Sequence, residues 1–362
     1  MSALHPTTVS GRPRRACRNR GFTLIELMIA MLLGLVVIAG VTSVFLAGQQ
    51  SFRTNNALAN VEDGSRIAFE LMARDIRQAG LNGCDSSSNR FANVVTGGST
   101  LWYADWNNAV HGYDDASSDT AINGITGAGA PVKGQPSLHI LSAGSITASV
   151  SGAPSSAAAN LRLNQKSDEL QIGDIIIVCS LQGNDAHATM LQITDFNNQN
   201  TVVVHNTGNK VSPGNCSKGL GYPTNCDGSV GNGYVFPPNS PIAKLTASDW
   251  YIGANSAGGN SLYRVTLSSK ADGSGISLSP QEIVRNVCLP PDDPSCVGMQ
   301  ITYHASGASS YVDAATIGAN WVAVDSVRVR LSLKSTFQRA SVNATPIVRT
   351  YSATTTVRNR VE

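Results

Sequence analysis

A long apolar run near the N terminus constrains this chain more than any other feature. Between Arg20 and Arg53 the only charged residue is Glu26, and the stretch 27–46 has about the length of a helix that crosses a bilayer. A carboxylate at bilayer depth costs roughly 2 to 3 kcal/mol or more, so such a group is usually functional or paired. The run therefore predicts a membrane helix in which Glu26 has a task.

The residues before the run are basic. The first 21 residues contain no acidic residue and five arginines, which are Arg12, Arg14, Arg15, Arg18 and Arg20. A basic flank holds its end of a membrane helix in the cytoplasm, so the rest of the chain should lie outside. A secretory signal peptide would place small residues and a cleavage site after its apolar core, whereas this run continues into more helical pattern. A signal anchor with an incidental glutamate is the plain alternative.

The sequence from Gly21 to Glu26, GFTLIE, resembles the processing site of type IV prepilins. The resemblance implies that prepilin peptidase cleaves between Gly21 and Phe22 and that the new amino group of Phe22 is then methylated. It also implies that Glu26 is kept for assembly. Within a fibre core of low dielectric constant, this carboxylate would attract the α-amino group of a neighbouring subunit, which offsets the cost of its burial.

Apolar residues continue at helical spacing beyond the membrane run. The spacing is shown by Phe52, Leu58, Val61, Phe69, Met72, Ile76 and Ala79. Gly80 and Gly83 are suitable stops, because they follow a last turn that contains Arg74 and Arg77. The pattern predicts one helix from residue 22 to residue 79, apolar all round in its first half and amphipathic in its second half.

The remainder of the chain is predicted to be a β-rich head. Only 14% of all residues are charged, and 34 glycines and 15 prolines suit a protein rich in strands and loops. Segment 324–333 alternates apolar and polar residues as a half-buried antiparallel strand does, and 351–357 is predicted to pair with it. The predicted strands are 170–179, 189–196, 201–205, 261–267, 297–303, 324–333 and 347–357.

These patterns together predict an α+β fold of the type IV pilin-like kind, in which a long N-terminal helix packs on an antiparallel β-sheet head with large loop insertions. The predicted regions are a prepilin leader (1–21), a transmembrane or fibre-core half of the helix (22–48), an amphipathic half packed on the head (49–83) and a periplasmic head (84–362). Within the head, segments rich in small and polar residues near 142–164 and 205–241 are interpreted as surface insertions.

Cysteine usage agrees with export. Cys17 lies in the predicted leader, and the other six cysteines form an even number, as expected for disulfides made in an oxidising periplasm. Six cysteines allow 15 pairings, and the sequence alone does not choose among them. The preferred framework has two short loops, with buried free thiols as the alternative. Its disulfide candidates are Cys216–Cys226, Cys288–Cys296 and Cys84–Cys179.

Blocks downstream of the leader resemble the PilW family of minor pilins. They are ELMARDIRQAGLNGC (70–84), GDIIIVCSLQGND (173–185) and the ending VRVRLSLKS followed by TTTVRNR. The resemblance implies a protein that joins other minor pilins and the major pilin, at an inner-membrane assembly platform, to initiate or cap a type IV pilus. A large tip adhesin is a further partner that it suggests. The protein would start as a single-pass protein of the inner membrane with a periplasmic head and end in the pilus on the cell surface.

Two other functions stay open beside this one. A minor pseudopilin of type II secretion shares the leader and the plan of helix and sheet. The second alternative is an adhesive or ligand-binding module that a pilin-like anchor displays, with the loop around Cys216 and Cys226 as its contact surface. In all three cases the helix enters a membrane.

Catalysis is not expected, because the chain lacks a GxSxG elbow, a P-loop, a GxGxxG turn and an HExxH motif. No cofactor or metal site is expected either, since the six histidines show no spacing typical of metal ligands. The pairs Asp114-Asp115 and Asp292-Asp293 could offer oxygens to calcium, but neither has the spacing of a calcium loop.

Nucleic acid is not an expected partner. Removing the five arginines of the leader from the 26 basic residues of the chain leaves 21, against 24 acidic residues, so the positive balance belongs to the leader. Arg328, Arg330, Arg358 and Arg360 could form a basic stripe in a pilus that takes up DNA. Their alternation indicates the polar face of a sheet instead.

Overall fold

The computed structural model describes residues 21–83, 90–152, 155–156, 158–180, 186–197, 199, 201–208, 210–227, 230–270, 272, 274–290, 292–336 and 345–360. The chain divides into two compact units, Met1–Thr54 and Asn55–Glu362. The predicted leader therefore lies outside the described residues, apart from Gly21. Cys84 also lies outside them.

One long helix, α1 (Leu24–Gln78), has residues in both units. Its start and end lie within two residues of the predicted limits. No proline interrupts it. The helix ends before Gly80, whose φ of +71° is a conformation that glycine adopts without steric cost. The Gly80 amide then donates to the carbonyl of Leu141 at 2.8 Å, and Asn359 Nδ2 donates to the Gly80 carbonyl at 2.7 Å, which ties this end of the helix to the head.

In its described residues the head is built from β-strands, one short α-helix, α2 (Ala314–Ile317), and a few single-turn 3-10 helices. In chain order, the strands are β1 (Phe91–Asn93), β2 (Val110–Tyr113), β3 (Ser137–Gly152), β4 (Asn160–Leu163), β5 (Ile175–Ser180), β6 (His187–Gln192), β7 (Asp195–Asn197), β8 (Val202–Val204), β9 (Pro241–Ala254), β10 (Asn260–Ser269), β11 (Ile276–Arg285), β12 (Met299–Ala305), β13 (Val324–Lys334) and β14 (Val348–Thr356).

The described strands form two sheets. The larger has eleven strands and contains the order β1-β6-β5-β9-β3-β4-β8-β7, with β2 paired to β3, and β10 paired to both β9 and β11. The smaller sheet has the order β12-β13-β14, and both of its pairings are antiparallel. A long apolar helix followed by a sheet-rich head confirms the predicted α+β, pilin-like fold.

The second half of α1 fills the space beside both sheets. Its buried residues are Ala57, Val61, Ser65, Ala68, Met72, Asp75 and Ile76. Met72 and Ile76 join one hydrophobic core with Trp250 of β9, Tyr303 of β12 and Val327 of β13. This core explains why an amphipathic half follows an all-apolar one, since only the second half has a partner surface in its own chain.

A buried carboxylate adds a polar contact to this packing. Asp75 accepts hydrogen bonds from the hydroxyl of Ser248 at 3.1 Å and from Trp250 Nε1 at 2.9 Å. Arg264 of β10 donates to both of its oxygens, from Nε at 2.8 Å and Nη2 at 3.0 Å. The two-pronged geometry is the strong form of an arginine–carboxylate pair, so Asp75 fixes this face of the helix on β9 and β10.

The predicted strands from residue 261 onward match the structure closely, and β13 pairs with β14 as expected. The predicted strand 189–196 is wrong as a single strand, because β6 ends at Gln192 and β7 begins at Asp195. Segment 142–164, interpreted from the sequence as a surface insertion, contains regular strands, because β3 continues to Gly152 and β4 follows. Ser, Ala and Gly run through this part of β3, yet it pairs with β9 as far as Ser149, with two register shifts. Backbone pairing there outweighs the weak strand preference of the side chains.

Strands β9 and β11 are absent from the sequence-based prediction for opposite reasons. Most residues of β9 are buried on both faces, so the strand shows no alternation of apolar and polar residues. Strand β11 is mostly exposed and carries Pro280, which a sheet tolerates at its edge; β11 pairs with β10 alone among the described strands.

Candidate functional site

The residues that the sequence singles out at the N terminus lie together at the start of α1. Phe22 is 87% exposed. The amide and the hydroxyl of Thr23 each donate to Glu26 Oε2 at 3.0 Å, and the Glu26 amide donates back to the Thr23 hydroxyl at 3.3 Å. This reciprocal arrangement is a capping box, which satisfies backbone donors that a helix start leaves free. Glu26 therefore has a partner in its own chain, Thr23, which the sequence-based prediction did not include.

The helix beyond Glu26 presents apolar side chains on all sides. Every large apolar residue between Leu24 and Leu46 is more than half exposed in the isolated chain. By length and composition, α1 could cross a membrane. Such a surface requires lipid or the apolar surface of other subunits around it, because water solvates it poorly.

A comparison with known families gives one match over this segment. Residues 17–42 match the prokaryotic N-terminal methylation motif. The N-terminal segment is type IV pilin-like. The motif implies processing by prepilin peptidase and an assembly machinery of the pilus or pseudopilus kind, and it fits a membrane-anchored pilin. In a comparison with curated proteins, none matched this chain.

Two disulfides close short loops of the head. Cys216 is bonded to Cys226 and Cys288 to Cys296, with Cα–Cα distances of 5.1 and 5.5 Å. These are the two short-range pairs named from the sequence. Cys179 is also disulfide-bonded. Its predicted partner, Cys84, lies outside the described residues.

The segment around Cys216 is less of a surface insertion than its composition indicated. The described residues between β8 and β9 form no regular strand, but the side chains of Leu220 and Phe236 are buried. The side-chain amide of Asn215 makes two hydrogen bonds with the backbone of Gln192 in β6. Its Nδ2 donates to the Gln192 carbonyl at 2.7 Å, and its Oδ1 accepts from the Gln192 N–H at 2.7 Å. The segment therefore forms part of the packed head, and removing it would expose the core beneath.

An open groove lies beside the Cys216–Cys226 disulfide. Its volume is about 530 Å³, and its walls include Phe91, Trp106, Tyr222 and Thr224. Phe91 and Trp106 stack with ring centroids 4.7 Å apart, and Tyr222 is 52% exposed. An aromatic platform with polar neighbours can bind a ligand that has apolar faces and hydroxyl groups.

The aspartate pairs considered for calcium have protein partners in the structure. Asp114 accepts from the amides of Ala314 and Ala315 at the start of α2, at 3.1 and 2.9 Å. Asp115 accepts from the amides of Ser117 and Gly134.

The second pair is similar. Asp292 accepts from Lys334 Nζ at 2.9 Å, and Asp293 accepts from the amide and hydroxyl of Ser295. These contacts are those of turns, caps and a surface ion pair, so the partners explain both pairs without an ion.

The arginines at the end of the chain are spread over different surroundings. Arg328 and Arg330 lie on the exposed side of β13, where Arg328 covers the ring of Tyr311 at 3.9 Å from its centroid. Arg360 turns inward, and its Nη1 donates to the carbonyl of Trp321 at 2.6 Å. Burial lowers the pKa of Arg360 below its usual value.

A buried polar cluster in the larger sheet has no counterpart in the sequence-based prediction. Asp119, His139 and Asp249 are all buried, and each offers one ligand-type atom within 4.8 Å of the other two. They are 20 and 110 residues apart, so no motif joins them; a histidine and an aspartate inside two buried strands are the only signals in the sequence. Register brings them together, because His139 of β3 lies opposite Asp249 of β9.

The two carboxyl groups of this cluster are not equivalent. Burial works to raise the pKa of Asp119, but the hydrogen bond and positive charge of His139 and the hydroxyl of Ser137 outweigh it, so the pKa is lowered. Burial, followed by the charge of Asp119, raises the pKa of Asp249 well above its usual value. One carboxylate is thus stabilised by donors, and the other faces a like charge without water.

Proposed function

We propose that this protein is a minor pilin of the PilW type, which enters the inner membrane, is processed by prepilin peptidase and joins other minor pilins to start or cap a type IV pilus. The methylation motif at the start of an exposed apolar helix carries the proposal. The PilW-like blocks in the head and the size of the head favour this function over that of other pilin-like proteins. The head then lies in the periplasm before assembly and on the cell surface after it.

Glu26 has two partners in this proposal, one after the other. In the isolated subunit its carboxylate completes the capping box with Thr23. In the fibre it accepts the methylated α-amino group of Phe22 from a neighbouring subunit. A charged donor in an apolar fibre core makes a stronger hydrogen bond than a neutral amide or hydroxyl does, so assembly draws the carboxylate to the new partner.

Two substitutions separate these partners. Glu26→Gln keeps an acceptor for the cap, because glutamine also completes a capping box, but it removes the charge. Thr23→Ala removes the hydroxyl of the cap and keeps the charge. The amount of each variant in sheared pili, relative to its membrane pool, should fall at least about tenfold for Glu26→Gln, a difference worth about 1.4 kcal/mol, and stay near wild type for Thr23→Ala.

Processing serves as the control for both variants. Mass spectrometry should find methylated Phe22 as the first residue in wild type and in both variants, since Gly21 and the cleaved bond are unchanged. Replacement of Gly21 by leucine should leave the leader attached. Wild-type incorporation of Glu26→Gln would contradict the pairing, and an intact leader on the wild-type protein would contradict the pilin function itself.

The pseudopilin alternative concerns the machinery that the subunit joins. A minor pilin and a minor pseudopilin share the motif and the helix, so the phenotype of a gene deletion separates them. Loss of surface pili with normal protein secretion supports the minor pilin. Loss of secretion with normal pili supports type II secretion.

The groove beside Cys226 favours a second function, that of a displayed adhesive module. The test is Tyr222→Ala, because this side chain is more than half exposed and its loss should leave the core intact. Normal pili with lost attachment to surfaces would support adhesion through the groove. Tyr222→Phe keeps the aromatic face and should keep attachment. If pili and attachment are both normal in Tyr222→Ala, the adhesive function of this groove is wrong.

A further inference from the structure

The buried cluster of Asp119, His139 and Asp249 lies on the side of the larger sheet that faces away from α1. Strand register aligns His111 of β2, His139 of β3 and Asp249 of β9 in one row across three strands. Residues 116–122 cover this row, and Ile122 packs in one apolar cluster with Tyr251 and Tyr263. Asp119 belongs to this covering segment, so its carboxylate meets the row from above the sheet.

The contacts converge on one imidazole nitrogen. Nε2 of His139 lies 2.6 Å from Asp119 Oδ1 and 3.6 Å from Asp249 Oδ2. Asp119 also accepts from the amide of Ala121 at 2.8 Å and from the hydroxyl of Ser137. The three side chains therefore direct two carboxylates and one ring nitrogen at a common point.

Asp249 is the unusual member. Its side chain is fully buried, and its polar neighbours besides His139 are the backbone amides of Leu138 and Trp250 and the carboxyl group of Asp119, none of which is a well-aligned donor to its oxygens. A buried carboxylate without donors costs several kcal/mol if it is charged, so proteins neutralise it with a proton, a cationic side chain or a metal ion. Among the described residues, the side chain that could offer Asp249 a positive charge is His139, and it lies closer to Asp119.

We propose that Asp119, His139 and Asp249 bind a divalent transition-metal ion of the zinc or manganese kind. Two carboxylates balance the charge of the ion, and the neutral imidazole adds the nitrogen ligand that separates these ions from calcium and magnesium. Such ions take nitrogen and oxygen ligands at about 2.0 to 2.2 Å, which puts neighbouring ligand atoms roughly 3.3 Å apart in a tetrahedral site.

The distances need little change to meet that geometry. The 3.6 Å between His139 Nε2 and Asp249 Oδ2 is already close to the required separation. The 2.6 Å contact with Asp119 has to open by less than an ångström, and the donors Ala121 and Ser137 hold this carboxylate in the correct orientation. The ion would fasten the covering segment to β3 and β9, so it is a structural ion of the head.

Metal content tests the proposal. The full-length chain, purified from membranes in mild detergent, should contain about one equivalent of zinc or manganese by elemental mass spectrometry. Removal of the ion with a chelator should lower the melting temperature by about 5 °C or more, and zinc alone or manganese alone should restore it. Cobalt in the same site should give the visible absorption of an ion with nitrogen and oxygen ligands.

Variants locate the ion. Asp249→Asn should lower bound metal at least about tenfold, because an amide is a far poorer ligand than a carboxylate. The matched control is Asp174→Asn, which changes another buried aspartate whose partners are Lys244 at 2.7 Å and Ser269. This control should keep its metal.

Two results would overturn the proposal. The first is a wild-type chain that contains no ion and whose melting temperature does not respond to zinc, manganese or cobalt. The second is equal metal content in wild type and Asp249→Asn, which would place the ion elsewhere. The wild-type measurements decide the matter even if Asp249→Asn does not fold.

Discussion

Strand β9 carries two buried polar regions on its opposite faces, and they differ in how their carboxylates are satisfied. On the face toward α1, Ser248 and Trp250 donate to Asp75, and Arg264 completes the set. On the other face, Asp249 lies between them in sequence, and no side chain among the described residues donates a well-aligned hydrogen bond to it. Alternation along a strand sends adjacent residues to opposite faces, so one residue step separates the two environments.

The difference shows what each region can do. Asp75 accepts four hydrogen bonds, and these bonds hold the helix to the head. Asp119 and Asp249 share one imidazole, which carries one positive charge at most, so the region can still attract a proton or a metal ion. The first region is a joint between elements, and the second has the composition of a binding site.

The largest effect is expected from breaking the joint. Asp75→Ala should lower the free energy of unfolding by about 3 to 5 kcal/mol, because it leaves Arg264 and the Trp250 indole unpaired next to the core. Asp63→Ala is the control on the same helix, since this side chain is 68% exposed and its ion pair with Arg66 is long, at 3.7 Å. Denaturant unfolding at neutral pH measures both. Equal losses in the two variants would mean that Asp75 does not hold the helix.

The pH dependence of stability tests whether a buried side chain without a hydrogen-bond partner also destabilises another part of the head. His205 follows β8, both of its ring nitrogens lack partners within the described residues, and burial lowers its pKa to about 4. Unfolded histidine, with its ordinary pKa near 6.5, binds the proton more readily. Stability should therefore fall as the pH drops from about 6.5 and level off below about 4, by up to about 3 kcal/mol.

His205→Leu should remove this acid loss, which unfolding measured at several pH values will show. His304 offers a control of opposite sign, because the hydrogen bond that its Nδ1 donates to Asp325 raises its pKa. Its contribution is present at low pH and is lost as the pH rises, so His304→Gln should not flatten the acid side of the profile. An unchanged pH profile in His205→Leu would show that this residue does not stay neutral.

Packing on the face toward α1 should give the next smaller effect. A Cβ at Gly112 of β2 would overlap the Tyr303 hydroxyl, so Gly112→Ala should destabilise the head by about 1 to 3 kcal/mol. Tyr303→Phe removes this hydroxyl, which has no partner among the described residues, and should restore part of the loss.

Gly124→Ala is the control for this effect, because a Cβ there meets no atom within 4 Å. Thermal unfolding of the three single variants and the double variant completes the test. A Gly112→Ala variant as stable as Gly124→Ala would mean that β2 and β12 are less tightly packed than the structure shows.

The smallest effect is expected from Asp249 when metal is removed. Burial and the charge of Asp119 raise the pKa of Asp249 well above its usual value, which favours the neutral carboxyl group in the metal-free head, and the asparagine amide has nearly the same shape. Asp249→Asn should then change the free energy of unfolding by less than about 1 kcal/mol in the presence of a chelator. A loss as large as that of Asp75→Ala would show that Asp249 is a charged partner and that the two faces do not differ.

Local patterns were enough to predict the helix and part of the sheet. The apolar run, the helical spacing through Met72 and Ile76 and the stop at Gly80 need only neighbours in sequence, because each turn of a helix bonds to the next. The alternation in β13 shows one buried and one exposed face. Strand β9 has no such alternation, since both of its faces are covered, and its role at the centre of the larger sheet was not predictable from its own residues.

The processing motif, the membrane-length helix and its amphipathic continuation were predictable from the sequence, because they depend on residues that are close along the chain. The folded structure was needed to show that His139 faces Asp249 across β3 and β9, that Asp119 joins them from a covering segment, and that Asp75 contacts the opposite face of β9. Strand register and alternation set those positions, and a shift of one residue would exchange the two faces. Chemistry that depends on register leaves no trace in spacing along the chain.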